Sequence, residues 1–361
     1  MRSVIDGLQS RGARCHVIYS KIWAHDTAEV PSLSESLKQS LVTPVIMEQR
    51  TTRGFSSRRI TSDDVSRALE RSDVNLVLDG GVHGLPAGSR AILVLSNLAY
   101  DTERGALRQA WDSVWVVSEY TRQLVTKAVP VWENRVHVVP PVLEHACHAR
   151  TVGQALAPSG FGLPAGLTHD RTVLFPHRLE EAKGLHDAIA VLRALTQRDP
   201  EWRLLLPQAS PTSGSGGIKL VEQAQSRASD LGVLDNLVFF PWLTRSEMCD
   251  AYRSAGCSLT LSHLPESFGL VPHESILHGL PAVVRPTGAL SSQHLQADGI
   301  RYIDSSKPDA VADAVSEAVR LKVDLASIKS LKERYSYAAM MAALDTALRP
   351  FTGSYGSGVE S

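Results

Sequence analysis

The segment PESFGLVPHESILHGLP runs from Pro265 to Pro281 and carries two carboxylates eight residues apart, Glu266 and Glu274. Glu266 follows an apolar run in what reads as a loop after a strand. Glu274 falls inside the first turns of the next helix. Between them Phe268, Gly269 and Leu270 open that helix. The free N–H groups at a helix start, together with its positive end, make an anion site. Gly269 lets a ligand approach the backbone closely. Carboxylates accept hydrogen bonds from sugar hydroxyls, and amides hold phosphates. Two carboxylates flanking an anion site therefore suit a diphosphate with a hydroxylated sugar on each side. The plain alternative is a surface helix with a capping carboxylate.

Such groups need a strand and a helix to place them. From Arg171 onward, short apolar runs alternate with helical patterns. TVLFPHR, WRLLLP, NLVFFPW, CSLTLSHL, PAVVRP and IRYID read as strands. GLHDAIAVLRALTQR, IKLVEQAQSRASDLG, SEMCDAYRSAG, GLVPHESILHG and SSQHLQADG read as helices. Continuous apolar strands between amphipathic helices predict a parallel sheet covered on both faces. The first half alternates less cleanly. ARCHVIYS, TPVIMEQ, VNLVLDGG, AILVLSN, SVWVVSE and RVHVVPPV read as strands there, and SRALERS, LRQAWDS and YTRQLVTKAV as helices. The expected class is α/β, with two doubly wound Rossmann-like domains facing a cleft and ligands at the carboxyl ends of the strands. Residues 1–150 make the N-terminal domain and 168–335 the C-terminal one. Residues 336–361 supply a helix returning to the first domain and a disordered tail, TGSYGSGVES. His148 to Asp170, rich in Gly, Pro, Ala and Ser, reads as the linker.

The bulk numbers agree. A chain of 361 residues suits two domains. With 43% hydrophobic and 21% charged residues it can pack cores and is no disordered chain. The net charge of -1 gives no global field for nucleic acid or an anionic membrane. Cys15, Cys147, Cys249 and Cys257 are widely spaced and form no C-x-x-C pair, so a reduced, cytoplasmic protein is expected. No run approaches the roughly 20 apolar residues that span a bilayer. MRSVIDGLQSRG lacks the apolar stretch of a signal peptide.

PESFGLVPHESILHGLP resembles the E-x7-E signature of family 4 glycosyltransferases, which have the GT-B fold. FPHRLEEAKGL, Phe175 to Leu185, resembles the same family's G-R-L-x-x-x-K-G. SEYTR, VHVVPP and the stretch from Asn236 to Ser262 add weaker matches. The resemblance is strong from residue 171 to about 300 and loose before that. It implies a retaining hexosyltransferase that needs neither metal nor cofactor, the nucleotide sugar being a substrate. By it Glu274 would hold the ribose hydroxyls and Glu266 the transferred sugar. Arg178 and Lys183 would stabilise the departing diphosphate, a guanidinium fork and a point charge against two negative charges. Trp242 and Leu243 would border the base, with core packing as the plain alternative. The donor would be a UDP-, GDP- or ADP-sugar. The acceptor would be a sugar, a lipid-linked sugar or a natural product, and no nucleic acid is involved.

The sequence also departs from the family pattern. His177 stands where the family usually has glycine, and PQAS, from Pro207, replaces a glycine-containing turn. On the acceptor side Ser96 and Asn97 occupy the place where many relatives have a histidine, and His83 could supply an imidazole from the neighbouring strand end. GSGG, Gly214 to Gly217, lacks phosphate-loop spacing and reads as a flexible loop. HACH, His145 to His148, reads as linker. The arginines at 50, 53, 58 and 59 read as a solvated loop or as a contact for an anionic acceptor or the inner membrane face. The changed acceptor side keeps a second hypothesis open: a catalytically silent GT-B protein that binds a sugar nucleotide or serves a partner subunit. A GT-B epimerase or phosphorylase fits less well. RSVIDGLQSRG reads as a first helix with Val4, Ile5 and Leu8 on one face, so the opening strand and loop of such a domain are missing. The expectation is that Met1 is an internal methionine of a longer protein.

Overall fold

The computed structural model describes residues 2–11, 13, 16–20, 41–45, 48–52, 55–59, 63–98, 105–143, 167–209, 214–291 and 295–352. The chain forms two compact units: Met1–Val142 with Tyr335–Ser361, and Leu143–Arg334.

The first unit begins with α1 (Arg2–Ser10), followed by β1 (His16–Ser20) and β2 (Leu41–Val45), which pair in parallel. β3 (Glu48–Thr52) and β4 (Phe55–Arg59) form an antiparallel ladder. After α2 (Asp63–Glu70) come β5 (Asn75–Leu78), β6 (Gly81–His83), β7 (Ala91–Leu95), β8 (Ser113–Val116), α3 (Glu119–Ala128) and β9 (Val136–Val138). β6 pairs with β4. A parallel sheet has the order β5-β7-β8-β9. Its two central strands, AILVL and SVWV, bury side chains on both faces. Leu93, Leu95, Val114 and Val116 join Val125 of α3 and Trp132 on one face, while Ile92 and Trp115 join Val4 of α1 on the other. That split follows from the two-residue period of a strand.

The second unit contains β10 (Thr172–Leu174), α4 (Leu185–Thr196), β11 (Arg203–Pro207), α5 (Gly214–Asp230), β12 (Leu237–Phe240), α6 (Arg245–Arg253), β13 (Cys257–Thr260) and α7 (Leu270–Leu277). β14 (Ala282–Val284), β15 (Ile300–Tyr302), α8 (Pro308–Ala318) and α9 (Leu325–Arg334) complete it. All six strands are parallel, in the order β12-β11-β10-β13-β14-β15. Each matches an apolar run of the sequence. The order reverses direction at β10 and β13, the switch point where a doubly wound sheet opens a crevice at its carboxyl edge. α4 packs on α8, α5 and β11, and α7 packs on β13, β14 and α9. The last helix, α10 (Tyr337–Thr352), returns to the first unit and packs on α1 and β9.

Several local expectations are corrected. GSGG is the first turn of α5, not a loop. Glycine costs little there, because first-turn amides have no intrahelical partner to lose. LRQAWDS is a turn rather than a helix: the buried Trp111 indole donates to the Ala106 carbonyl at 2.8 Å. From Leu295 to Gly299 no helix forms. Arg50, Arg58 and Arg59 lie on the β3–β4 ladder instead of in a loop. Cys257 is free and buried, but Cys249 is disulfide-bonded, contrary to an all-reduced chain. Wide sequence spacing does not keep cysteines apart in a folded chain. Cys15 and Cys147, residues 145–148 and the tail from 353 lie outside the described residues. Among the described residues no helix is long and apolar enough to cross a membrane.

Candidate active site

Two loops at the carboxyl edge of the second sheet define the site: the one after β10, carrying His177 to Gly184, and the one after β13, carrying Leu261 to Gly269. The His263 N–H donates to the Ala182 carbonyl at 2.8 Å, which stitches them together. Gly184, at φ 85°, starts α4, and a Cβ there would stand 2.4 Å from the Leu261 carbonyl oxygen. Only glycine allows this approach. Arg285, at the end of β14, donates to the Leu261 carbonyl at 2.7 Å and to Asp187 of α4 at 2.8 Å, bracing both loops from the far side.

The result is a close ion pair. Lys183 Nζ donates to Glu266 Oε1 at 2.8 Å, with the two side chains only 22% and 14% exposed. The Ser262 hydroxyl donates to the same oxygen. Burial pushes the Glu266 carboxyl up, but the Lys183 charge and the hydrogen bonds from Lys183 and Ser262 outweigh it and hold it below its usual range. Gly288 forms a β-bridge with Glu266, and the Ala289 N–H donates to the Glu266 carbonyl at 2.8 Å, so the carboxylate rides on fixed backbone.

His177 turns inward. Its ring is buried, with Nε2 3.1 Å from Thr260 Oγ1 and the Phe175 ring 4.9 Å away. Burial pushes its pKa down to about 4, with Glu266 and Lys183 acting in opposite directions. The residue that replaces the family's glycine is thus a neutral imidazole behind the ion pair.

The start of α7 is equally fixed. Gly269 caps it at φ 78° and ψ 68°. A Cβ there would come within 2.1 Å of Leu290, which is fully buried. Phe268 is buried and stacks on His273 at 4.5 Å, and His273 Nδ1 donates to the Gly269 carbonyl at 2.8 Å. Pro272 in the first turn removes one amide and presets its φ. Glu274 follows on the same helix, and the buried Tyr252 of α6 donates to its Oε2 at 2.9 Å. Leu270 is exposed.

The other expected residues are placed separately. Arg178 is 68% exposed, and its nearest acid is Glu180 at 3.6 Å rather than Glu266. Trp242 is 45% exposed after β12, whereas Leu243 packs into the core with Leu174, Leu205 and Phe240. Ser96 and Asn97 follow β7 in the first unit; the Ser96 backbone N–H donates to Asp79 at 2.6 Å, and its hydroxyl donates there too. Asp79, at φ 43°, is the one non-glycine residue with positive φ among the described residues. The backbone of His83 lies in β6. Ser262, Tyr252 and Asp79 were not singled out from the sequence.

The family described as glycosyl transferases group 1 matches residues 166–339. D-inositol 3-phosphate glycosyltransferase of Acidothermus cellulolyticus is 32% identical over 184 residues, 50% of this chain and 40% of that protein. The Streptomyces griseus protein of the same name is 31% identical over 166 residues, 45% of this chain and 34% of its own. The match thus spans less than half the length of these curated relatives. Among solved structures, Anabaena HepE in complex with UDP and glucose aligns over 96% of this chain and 95% of its own, with TM-score 0.67 at 13% identity. A Rickettsia africae glycosyltransferase aligns over 98% and 94%, with TM-score 0.64 at 12% identity. These likenesses show the fold, which is GT-B.

Proposed function

We propose, from the match of residues 166–339 to the glycosyl transferases group 1 family, that the chain moves a sugar from a nucleoside-diphosphate sugar to an acceptor hydroxyl, with retention at the anomeric carbon. The observation that carries this reading is the Lys183–Glu266 pair at the switch point of the sheet, beside the capped start of α7. Resting, the two charges neutralise each other. An arriving diphosphate competes for the Lys183 ammonium, and the released Glu266 accepts hydroxyls of the sugar. The amides at Phe268 to Leu270 face the phosphates, Glu274 the ribose and Trp242 the base. Arg178, exposed on the same loop as Lys183, folds over the diphosphate as it leaves. The C1–oxygen bond to the diphosphate breaks while the acceptor oxygen bonds C1 on the same face. The acceptor proton passes to the departing phosphate oxygen. Catalysis is then positioning and charge stabilisation, with neither metal nor cofactor needed.

UDP and glucose in the Anabaena structure support a nucleotide sugar as the donor class. The acceptor is a hydroxyl of a sugar, a lipid-linked sugar or a natural product. Incubation with UDP-, GDP- and ADP-sugars should give slow donor hydrolysis with one nucleotide, unchanged by a chelator. NMR of a transferred product should show the donor's anomeric configuration. Nucleotide binding without any hydrolysis or transfer would instead favour a silent GT-B protein; loss of turnover with the chelator would overturn the metal-free route.

A further inference from the structure

The carboxylate of Glu274 does not stand alone on α7. Tyr252, in the last turn of α6, donates its phenolic hydrogen to Glu274 Oε2 at 2.9 Å. The phenol ring is fully buried in the cluster of Leu174, Leu205, Phe240 and Leu280. Its face stacks on the His278 ring at 4.8 Å with 11° between planes. His278 in turn donates from Nδ1 to the Glu274 backbone carbonyl at 2.6 Å. A phenol held on its ring face and in its socket can present its hydroxyl in few directions. Burial, then the Glu274 charge and the hydrogen bond to it, drive the Tyr252 pKa well above its ordinary value, so the hydroxyl stays a donor at any working pH. α6 itself is fixed at its other end by a capping box, Thr244 with Glu247, directly after Trp242 and Leu243. One rigid helix thus begins beside the loop read as the base side and ends on the carboxylate read as the ribose side.

We infer that Tyr252 is a positioning residue: it holds Glu274 in the pose that receives the 2′,3′-diol of a ribonucleotide, and so sets the chain's preference for ribose over deoxyribose donors. This rests on the reading of Glu274 as the ribose acceptor. A carboxylate has about four lone-pair sites, and one phenolic donor occupies one of them. A glutamate loses rotamer freedom when it is ordered, and one ordered in advance spares the ligand that cost. The ordering counts only for a ligand that has hydroxyls to place there.

The test is a binding cycle by calorimetry on the parent chain, Tyr252→Phe, Glu274→Ala and the double variant. The probes are UDP, GDP, ADP and the 2′,3′-dideoxy form of whichever binds. Tyr252→Phe keeps the ring and its stacking, and dideoxynucleotide affinity reports whether the fold is kept. Tyr252→Phe is expected to weaken ribonucleotide binding about two- to tenfold, the range for one hydrogen bond. It should leave the dideoxy form unchanged and add nothing in the Glu274→Ala background. Equal weakening of both forms would mean that Tyr252 only packs the core, overturning the inference. Parent-like binding by Tyr252→Phe, with loss in Glu274→Ala, would overturn it while leaving the ribose reading intact. Parent-like ribonucleotide binding by Glu274→Ala would sink the ribose reading and the inference together, as would a parent that binds none of the three nucleotides.

Discussion

Glu266 accepts from two donors on one oxygen, and one of them carries the charge a diphosphate needs. Glu266→Gln should therefore do two opposite things. Sugar transfer should fall, because the amide cannot replace the carboxylate. Free nucleoside diphosphate should bind about two- to tenfold tighter, because Lys183 no longer has a competing anion. Calorimetry with the nucleotide alone reads this, and weaker binding would show that the pair does not compete with the ligand. Lys183→Ala tests the same ammonium from the other side. If it stabilises the leaving group, kcat falls more than KM rises; a change in KM alone would make Lys183 a binder only. The two acids and the lysine could be found in the sequence because each lies in a short local pattern. His177 and Tyr252 act on Thr260 and Glu274, 83 and 22 residues away in the chain, and local spacing carries no record of such a crossing; Ser262 stands four residues before Glu266 on the same loop, where a serine by itself does not announce its partner. The exposed Arg178 shows the converse: a sequence match locates a residue on its loop but does not fix its side chain against a partner.

At the scale of elements, Gly184 decides whether the two site loops can touch. Gly184→Ala combines a left-handed backbone with a Cβ aimed at the Leu261 carbonyl, a backbone atom that cannot rotate away. The expected cost is about 1–3 kcal/mol of stability, read by urea unfolding. Transfer should fall further than stability explains, since opening the loops separates Lys183 from Glu266. A stable, fully active variant would show that the loops need not approach so closely. The strands of the second sheet were legible because each is a short apolar run buried on both faces, as TVL, LLLP and CSLT show. SSQHLQADG has the polar pattern of a helix, but among its described residues only Leu295 commits deeply to the core, too little apolar face to hold one over 295–299. GSGG failed in the other direction: glycine propensity argued for a loop, while the α5 residues that follow, packing through Ala224 and Ala228, pull the turn into the helix.

Across the whole molecule, acid should be the weak side. Burial pushes His177 and His273 down from 6.5 to about 4, so folding binds them neutral. The unfolded chain protonates them near 6.5. Between these values the unfolded state holds more protons, and stability falls as pH drops. A shift of this size is worth on the order of 3 kcal/mol per histidine. The urea midpoint should hold above pH 7 and decline steadily toward pH 4.5, and His177→Gln should decline less steeply. Parallel profiles for parent and variant would mean that His177 titrates as it does in the unfolded chain. The return of α10 has a different kind of consequence. Met340, Met341, Leu344 and Ala347 share a core with Val4, Ile92, Trp115 and Val139, although the entire second unit separates them along the chain. A ribosome delivers the chain in one direction. The first unit therefore waits on the strand and helix surfaces it has already made, with Ile92 and Trp115 uncovered, until residues 337–352 have followed the whole second unit out. The second unit has all of its own residues sooner and can close first. The two units are thus completed in the reverse of the order in which they are begun, and α10 closes the one begun earlier.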